Sequence, residues 1–171
     1  QEAAALALKK RVPDLQFEQQ PMTVLFIGRL DSYKRVDWLL KALADLSSQW
    51  RLDVVGDGPK RSSLETLAQE LFGVSERVQF HGRLNEAAKL QCLAEADVLV
   101  LPSDRSNEAF GIVQLEAMAA ALPSLAFDLP RSGMGWVGQL PSLQWSQSQE
   151  GLVDVLQRLS EDSELMCQAS S

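Results

Sequence analysis

The sequence predicts an α/β fold: a parallel sheet of five to six strands with helices on both faces. Three observations carry that prediction. Short, nearly continuous apolar runs alternate with stretches of helical period. The strand-helix units recur at intervals of roughly 20–28 residues, as repeated βα units do. Between the units nothing reads as a linker, so residues 21–171 form one domain behind an N-terminal helix and connector at 1–20.

The elements follow in order. Thr23-Val24-Leu25-Phe26-Ile27 is apolar almost throughout and ends at Gly28, as expected of a strand buried on both faces. A helix over 34–46 places Val36, Leu39, Leu40, Leu43 and Leu46 on one stripe. Leu52-Asp53-Val54-Val55 is the second strand, ended by Gly56. Gly58-Pro59 opens a helix to about residue 72, with Pro59 at its first position and Leu64, Leu67, Ala68 and Leu71 inward. Val78-Gln79-Phe80 is a third strand, and Asn85 caps a helix to Glu95. Val98-Leu99-Val100-Leu101 is the fourth strand, stopped by Pro102. A helix over 110–121 and a strand Ser124-Leu125-Ala126-Phe127 come next. The tail holds a short strand at Leu143-Gln144-Trp145 and an amphipathic helix over 150–159. A loose helix over 2–10 and a connector around Pro13 and Pro21 precede the domain.

Composition removes several functions. The 171 residues are 46% apolar and 23% charged, which is globular rather than disordered. Sixteen Lys and Arg stand against 23 Asp and Glu, a net charge of −7. Such a surface repels a phosphate backbone, so nucleic acid is not an expected partner. No apolar stretch reaches the eighteen or so residues of a membrane span. Cys92 and Cys167 lie far apart and the lone histidine is His81, which fits a reducing, cytoplasmic setting and no histidine-rich metal site. The chain starts at Gln1 with no basic-plus-apolar leader, and it reads as a piece of a longer protein.

In an open parallel sheet, ligands bind outside the carboxyl ends of the strands. There this acidic chain gathers glycine, cations and carboxylates: Gly28-Arg29-Leu30-Asp31-Ser32-Tyr33-Lys34-Arg35, Gly56-Asp57-Gly58, His81-Gly82-Arg83, and a run from Pro102 to Gly111. Arg29 and Lys34, between a strand end and a helix start, make a diphosphate clamp; the alternative is solvated loop charge. Gly28 lets a ligand approach the backbone. Glu108 stands before a helix and Glu116 inside it, among Ile112, Leu115 and Ala119. Between the two carboxylates, free amides of Phe110, Gly111, Ile112 and Val113 face the helix mouth. Carboxylates accept from sugar hydroxyls while amides hold phosphate oxygens. The competing reading makes Glu108 a dipole partner and Glu116 a surface acid. Gly56-Asp57-Gly58 opens like a dinucleotide fingerprint, but position 61 is Arg and the motif follows the second strand, so a nicotinamide site is rejected. His81 reads as a hydrogen-bonded structural residue, and Cys92 as core.

These residues resemble the C-terminal, donor-binding half of retaining glycosyltransferases of the GT-B fold, the family-four enzymes in particular. The resemblance runs from about Pro21 to Leu165 and rests on Leu101-Pro102-Ser103, on Glu108-Ala109-Phe110-Gly111 with Glu116, and on Gly28-Arg29-Leu30 with Lys34. It implies a Rossmann-like three-layer domain, one half of a GT-B enzyme. It implies that Arg29 and Lys34 hold the diphosphate of a UDP- or GDP-sugar, and that Glu108 binds the transferred hexose. Amides of Ala109, Phe110, Gly111, Ile112 and Val113 would contact sugar and phosphates, Glu116 the ribose, and backbone near Gly82 and Arg83 the base. No metal or other cofactor is expected.

The implied partners are an N-terminal acceptor-binding domain, absent from this stretch, and a glycan or lipid-linked acceptor. For the full-length protein the inner membrane surface is then a candidate location, and the isolated domain is expected to be inactive. Ser132-Gly133-Met134-Gly135 resembles a small-residue loop of a GDP-mannose-using subgroup. Two departures stand out: Arg35 follows Lys34 where glycine is commonest, and Ala121-Leu122-Pro123 replaces Gly-x-Pro. Outside this activity, the alternatives are a non-catalytic nucleotide-sugar-binding or interaction module of the same fold and a GT-B sugar-nucleotide epimerase.

Overall fold

A computed structural model describes residues 21–46, 50–105, 112–127 and 147–161. Five strands, β1 (Met22–Ile27), β2 (Trp50–Val55), β3 (Val78–Gly82), β4 (Val98–Leu101) and β5 (Ser124–Ala126), form one parallel sheet in the order β3-β2-β1-β4-β5. The central strands are sealed: Val24, Leu25, Phe26, Val54, Val98, Leu99 and Val100 have no exposed side-chain surface. This is the two-faced burial that their unbroken apolar runs require.

Among the described residues, five helices cover the sheet: α1 (Val36–Asp45), α2 (Arg61–Phe72), α3 (Glu86–Glu95), α4 (Ile112–Ala119) and α5 (Gln149–Glu161). Right-handed crossovers put α1 and α2 on one face and α4 on the other, because β1-β2-β3 and β4-β5 run outward in opposite directions from β1. α1 packs against both α2 and α5. The stripe expected on α1 is buried throughout, Leu46 included, as are Leu152, Val155, Leu156 and Leu159 of α5. Asn85 caps α3 by accepting from the Ala88 N–H at 2.8 Å.

The structure also corrects several expectations. Residues 34 and 35 are not part of α1: Ser32–Lys34 forms one 3-10 turn and Arg35 breaks it with φ 52°. Pro59 is not the first residue of α2, which begins at Arg61; the Arg61 N–H bonds the Gly58 carbonyl, so Gly58-Pro59-Lys60 is a turn. Leu71 is 37% exposed because α2 turns it away from the sheet. On α4, Ile112 and Leu115 are exposed while Gln114 and Ala117 are buried, and Gln114 donates to Ser124 Oγ at 3.2 Å. A paired glutamine thus takes a core position that an apolar side chain would be expected to fill. The helix over 2–10, the strand at 143–145, Glu108 to Gly111 and the loop around Ser132 fall outside the described residues. No helix among the described residues is long and apolar enough to cross a membrane.

Candidate functional site

The strand order reverses between β1 and β4, so a crevice opens beyond their carboxyl ends. On the β1-β2-β3 side, backbone builds its wall. Gly28 N–H donates to Val55 O at 3.0 Å, Leu30 N–H to Asp57 O at 3.0 Å, and Gly56 N–H to Gly82 O at 2.7 Å. Gly56 has φ +132°, and a Cβ there would lie 1.9 Å from the Gly28 carbonyl oxygen; one on Gly58 would lie 2.7 Å from Leu30 backbone. Only glycine lets these three loops close on each other.

Below them lies a cleft of about 360 Å³, lined by Gly28, Arg29, Gly56, Asp57, Arg83 and Lys89 among others. Three of the expected residues thus line one hollow: Gly28, Arg29 and Arg83. Gly82 joins through its hydrogen bond to Gly56. Arg29 is 61% exposed and its Nε donates to Asp31 at 2.8 Å. Asp57, the acid of this wall, is neutralised by Arg61 at 3.6 Å, and the neighbouring carboxylates Glu65 and Asp57 hold the Arg61 guanidinium above its ordinary pKa. Two of the cleft's cations are paired in the same way, Arg29 with Asp31 and Lys89 with Glu86 and Glu116.

Lys34 stands on the same loop as Arg29 but is not among the residues lining this cleft. Its ammonium lies 5.2 Å from the centre of the Tyr33 ring. Burial pushes its pKa below the usual 10.5, with Asp31 opposing that shift. A half-buried lysine held in this way gains from an incoming anion. Ile112 and Val113 are the first described residues of α4.

Lys89, which sequence reasoning missed, connects the cleft to the β4 side. Its Nζ is 2.8 Å from Glu116 Oε1 and 3.1 Å from Glu86 Oε2. The hydrogen bond to Glu116 raises the lysine pKa, against a smaller opposing effect of burial. Glu116 is 24% exposed, and its Oε2 is sealed from water with no partner among the described residues; Ser103 Oγ is in the same condition. An acceptor left in this state favours a donor arriving from a ligand. No local signal announced Lys89, because its partner lies 27 residues away on another helix.

His81 has the structural role expected of it: its ring Nε2 lies 2.7 Å from Asp53 Oδ1. Cys92 is partly buried against the core and its thiol is shifted upward by burial, which suits an inert residue. A second hollow, about 340 Å³ between the starts of α1 and α2, includes Arg35 and Lys60 but also Asp31 and Asp37. Its charges balance.

The sequence matches the family described as glycosyl transferases group 1 over residues 9–166. A phosphatidyl-myo-inositol mannosyltransferase of Mycobacterium tuberculosis is 32% identical over 154 residues, covering 82% of this chain and 39% of that protein. A sulfoquinovosyl transferase of Arabidopsis thaliana is 35% identical over 109 residues, covering 64% of this chain and 20% of that protein. The crystal structure of WaaG, a glycosyltransferase involved in lipopolysaccharide biosynthesis, is similar with a TM-score of 0.71 at 30% identity, over 98% of this chain and 44% of that one. The Anabaena HepE structure, in complex with UDP and glucose, has a TM-score of 0.76 at 24% identity, over 98% of this chain and 45% of that one, a likeness of fold. The chain spans from a fifth to two-fifths of the length of these curated relatives.

Proposed function

This chain belongs to the glycosyl transferases group 1 family, and from that premise we propose that its cleft binds a nucleoside-diphosphate sugar, UDP- or GDP-linked, as the donor of a hexose. The observation that carries the reading is the cleft itself. In a chain of net charge −7, Arg29, Arg83 and Lys89 converge on glycine-walled backbone at the carboxyl ends of β1, β2 and β3. Phosphate oxygens suit such a place: cations answer their charge, and Gly28 and Gly56 let them approach main chain.

In this reading Arg29 and Lys34 take the diphosphate, and Arg83 with Gly82 borders the base. The Oε2 of Glu116, which has no partner among the described residues, accepts from the ribose hydroxyls. Glu108 and the amides of Ala109, Phe110, Gly111, Ile112 and Val113 serve the sugar and its phosphates. Fixed cations and helix-start amides are aimed at charge that grows on the leaving diphosphate as the glycosidic bond breaks, which lowers the barrier without a metal ion. Transfer proceeds with retention to a glycan or lipid-linked acceptor held by a second domain. The mannosyl and sulfoquinovosyl relatives, and the lipopolysaccharide role of WaaG, support a sugar donor and an acceptor of this kind.

Calorimetric titration with UDP, GDP and their sugars tests the reading. We expect binding that Lys34→Ala weakens by about 1.5–3 kcal/mol, the worth of a hydrogen bond to a charged group. No binding of either diphosphate at millimolar concentration would refute donor recognition, and an unchanged affinity in Lys34→Ala would remove that lysine from the site.

A further inference from the structure

We propose that Arg35 is a positioning residue: it fastens the turn carrying Lys34 to the loop that leaves β4 towards Glu108. The inference rests on the donor-binding reading above. It begins from a conflict. Arg35 has φ 52° and ψ 37°, a left-handed conformation that costs an L-residue roughly 1–2 kcal/mol and glycine almost nothing. What the side chain adds must be something glycine lacks.

It adds a bridge. The guanidinium lies 3.1 Å from Asp37 Oδ2 on α1 and 3.7 Å from Asp104 Oδ2 on the loop after β4. It also stacks over Trp38, 4.0 Å from the ring centre, and Trp38 meets Phe127 just after β5 edge-on at 6.0 Å. Its Nε is sealed from water with no acceptor among the described residues, so the two carboxylates and the indole carry its charge. Beside the bridge the main chains touch, with the Asp104 N–H donating to Tyr33 O at 3.0 Å. The Tyr33 ring has Lys34 Nζ at 5.2 Å and the Arg105 guanidinium at 5.9 Å.

This junction spans the place where the strand order reverses. One loop bears Arg29 and Lys34, and the other leads to Glu108. Holding the first against the second fixes the distance between Lys34 and the carboxyl end of β4. A bound donor needs that distance set before it arrives, because misplacement of about 1 Å is enough to weaken a multipoint grip severely.

Arg35→Gly removes the guanidinium and relieves the backbone at once, so stability and positioning move in different directions. In the intact protein titrated with UDP and GDP, we expect Arg35→Gly and Asp104→Asn each to bind roughly 5- to 10-fold more weakly. The double variant should be no weaker than Arg35→Gly, since both substitutions cut one link. The melting temperature of Arg35→Gly should stay near that of the parent, and amide exchange at Asp104 should accelerate. An unchanged affinity in both single variants overturns the proposal, as do losses that add fully in the double variant. Asp104→Asn keeps Arg35 in place and decides the matter should Arg35→Gly fold poorly. If the parent binds neither diphosphate, the donor reading fails and this role falls with it. If the parent binds and the variants match it, only the positioning role is lost.

Discussion

The two sides of the crevice are built by different means. Beyond β1, β2 and β3, main chain meets main chain: Gly28 on Val55, Leu30 on Asp57, Gly56 on Gly82. Glycine stands where a Cβ would collide. Beyond β4, side-chain links join the main-chain bond from Asp104 to Tyr33: Lys89 to Glu116 and Arg35 to Asp104. At the other end of the sheet, before β5, the chain also turns through a left-handed position without glycine, at Ala121 with φ 53°. At Gly56 and Gly58 the first side refuses an added carbon. The second is more adjustable, since its side-chain links end in rotatable groups.

The largest effect should come from adding one carbon to the first side. Gly56→Ala places a Cβ 1.9 Å from the Gly28 carbonyl oxygen, and φ +132° is closed to alanine in any case. A loss of about 3 kcal/mol or more is expected in urea denaturation. A loss below about 1 kcal/mol would show that this wall is as adjustable as the other.

A smaller loss, about 1–3 kcal/mol at neutral pH, should follow Lys89→Met, which strips Glu116 of its cation while leaving the carboxylate mostly buried. The sign of the pH dependence follows from the raised lysine pKa. The stabilisation is fully present below the unfolded value of 10.5 and is lost as pH rises through the higher folded value. Thermal denaturation of parent and variant should therefore converge in strongly alkaline buffer. A gap that stays constant with pH would mean that the charge of Lys89 contributes nothing.

The smallest change is a gain. Ala121→Gly relieves roughly 1–2 kcal/mol of left-handed strain against about 0.5–1 kcal/mol of added chain entropy. A net stabilisation of about 0.5–1 kcal/mol is expected from the melting temperature. Destabilisation would show that the alanine methyl packs to some purpose.

The same contrast explains what the sequence discloses. Backbone-built structure leaves marks in one place: apolar runs ended by Gly28 and Gly56, Asn85 before α3, Pro102 after β4. All four mark element ends in the structure. Side-chain links join residues distant in the chain and leave no such mark. Lys89 sits in mid-helix beside Ala88 and Leu90 and reads as an ordinary surface lysine. Gln114 is buried while its apolar neighbours Ile112 and Leu115 are exposed, because a hydrogen bond to Ser124 leaves no mark in the hydrophobic period. The departures at Arg35 and Ala121 were visible as letters. That both fall at positive φ is a fact of the backbone.

One pairing governs how such a molecule comes into being. The middle strand β1 needs β4 beside it, and the first tie between them, Thr23 N–H to Asp97 Oδ2 at 2.7 Å, spans 74 residues of chain. Contacts of that separation close late and slow folding. Until Val98 and Leu99 emerge during synthesis, the fully apolar Val24 and Leu25 lie along an open strand edge, the kind that other chains add to. A nascent chain stalled before Val98 should therefore be the most aggregation-prone species this protein forms.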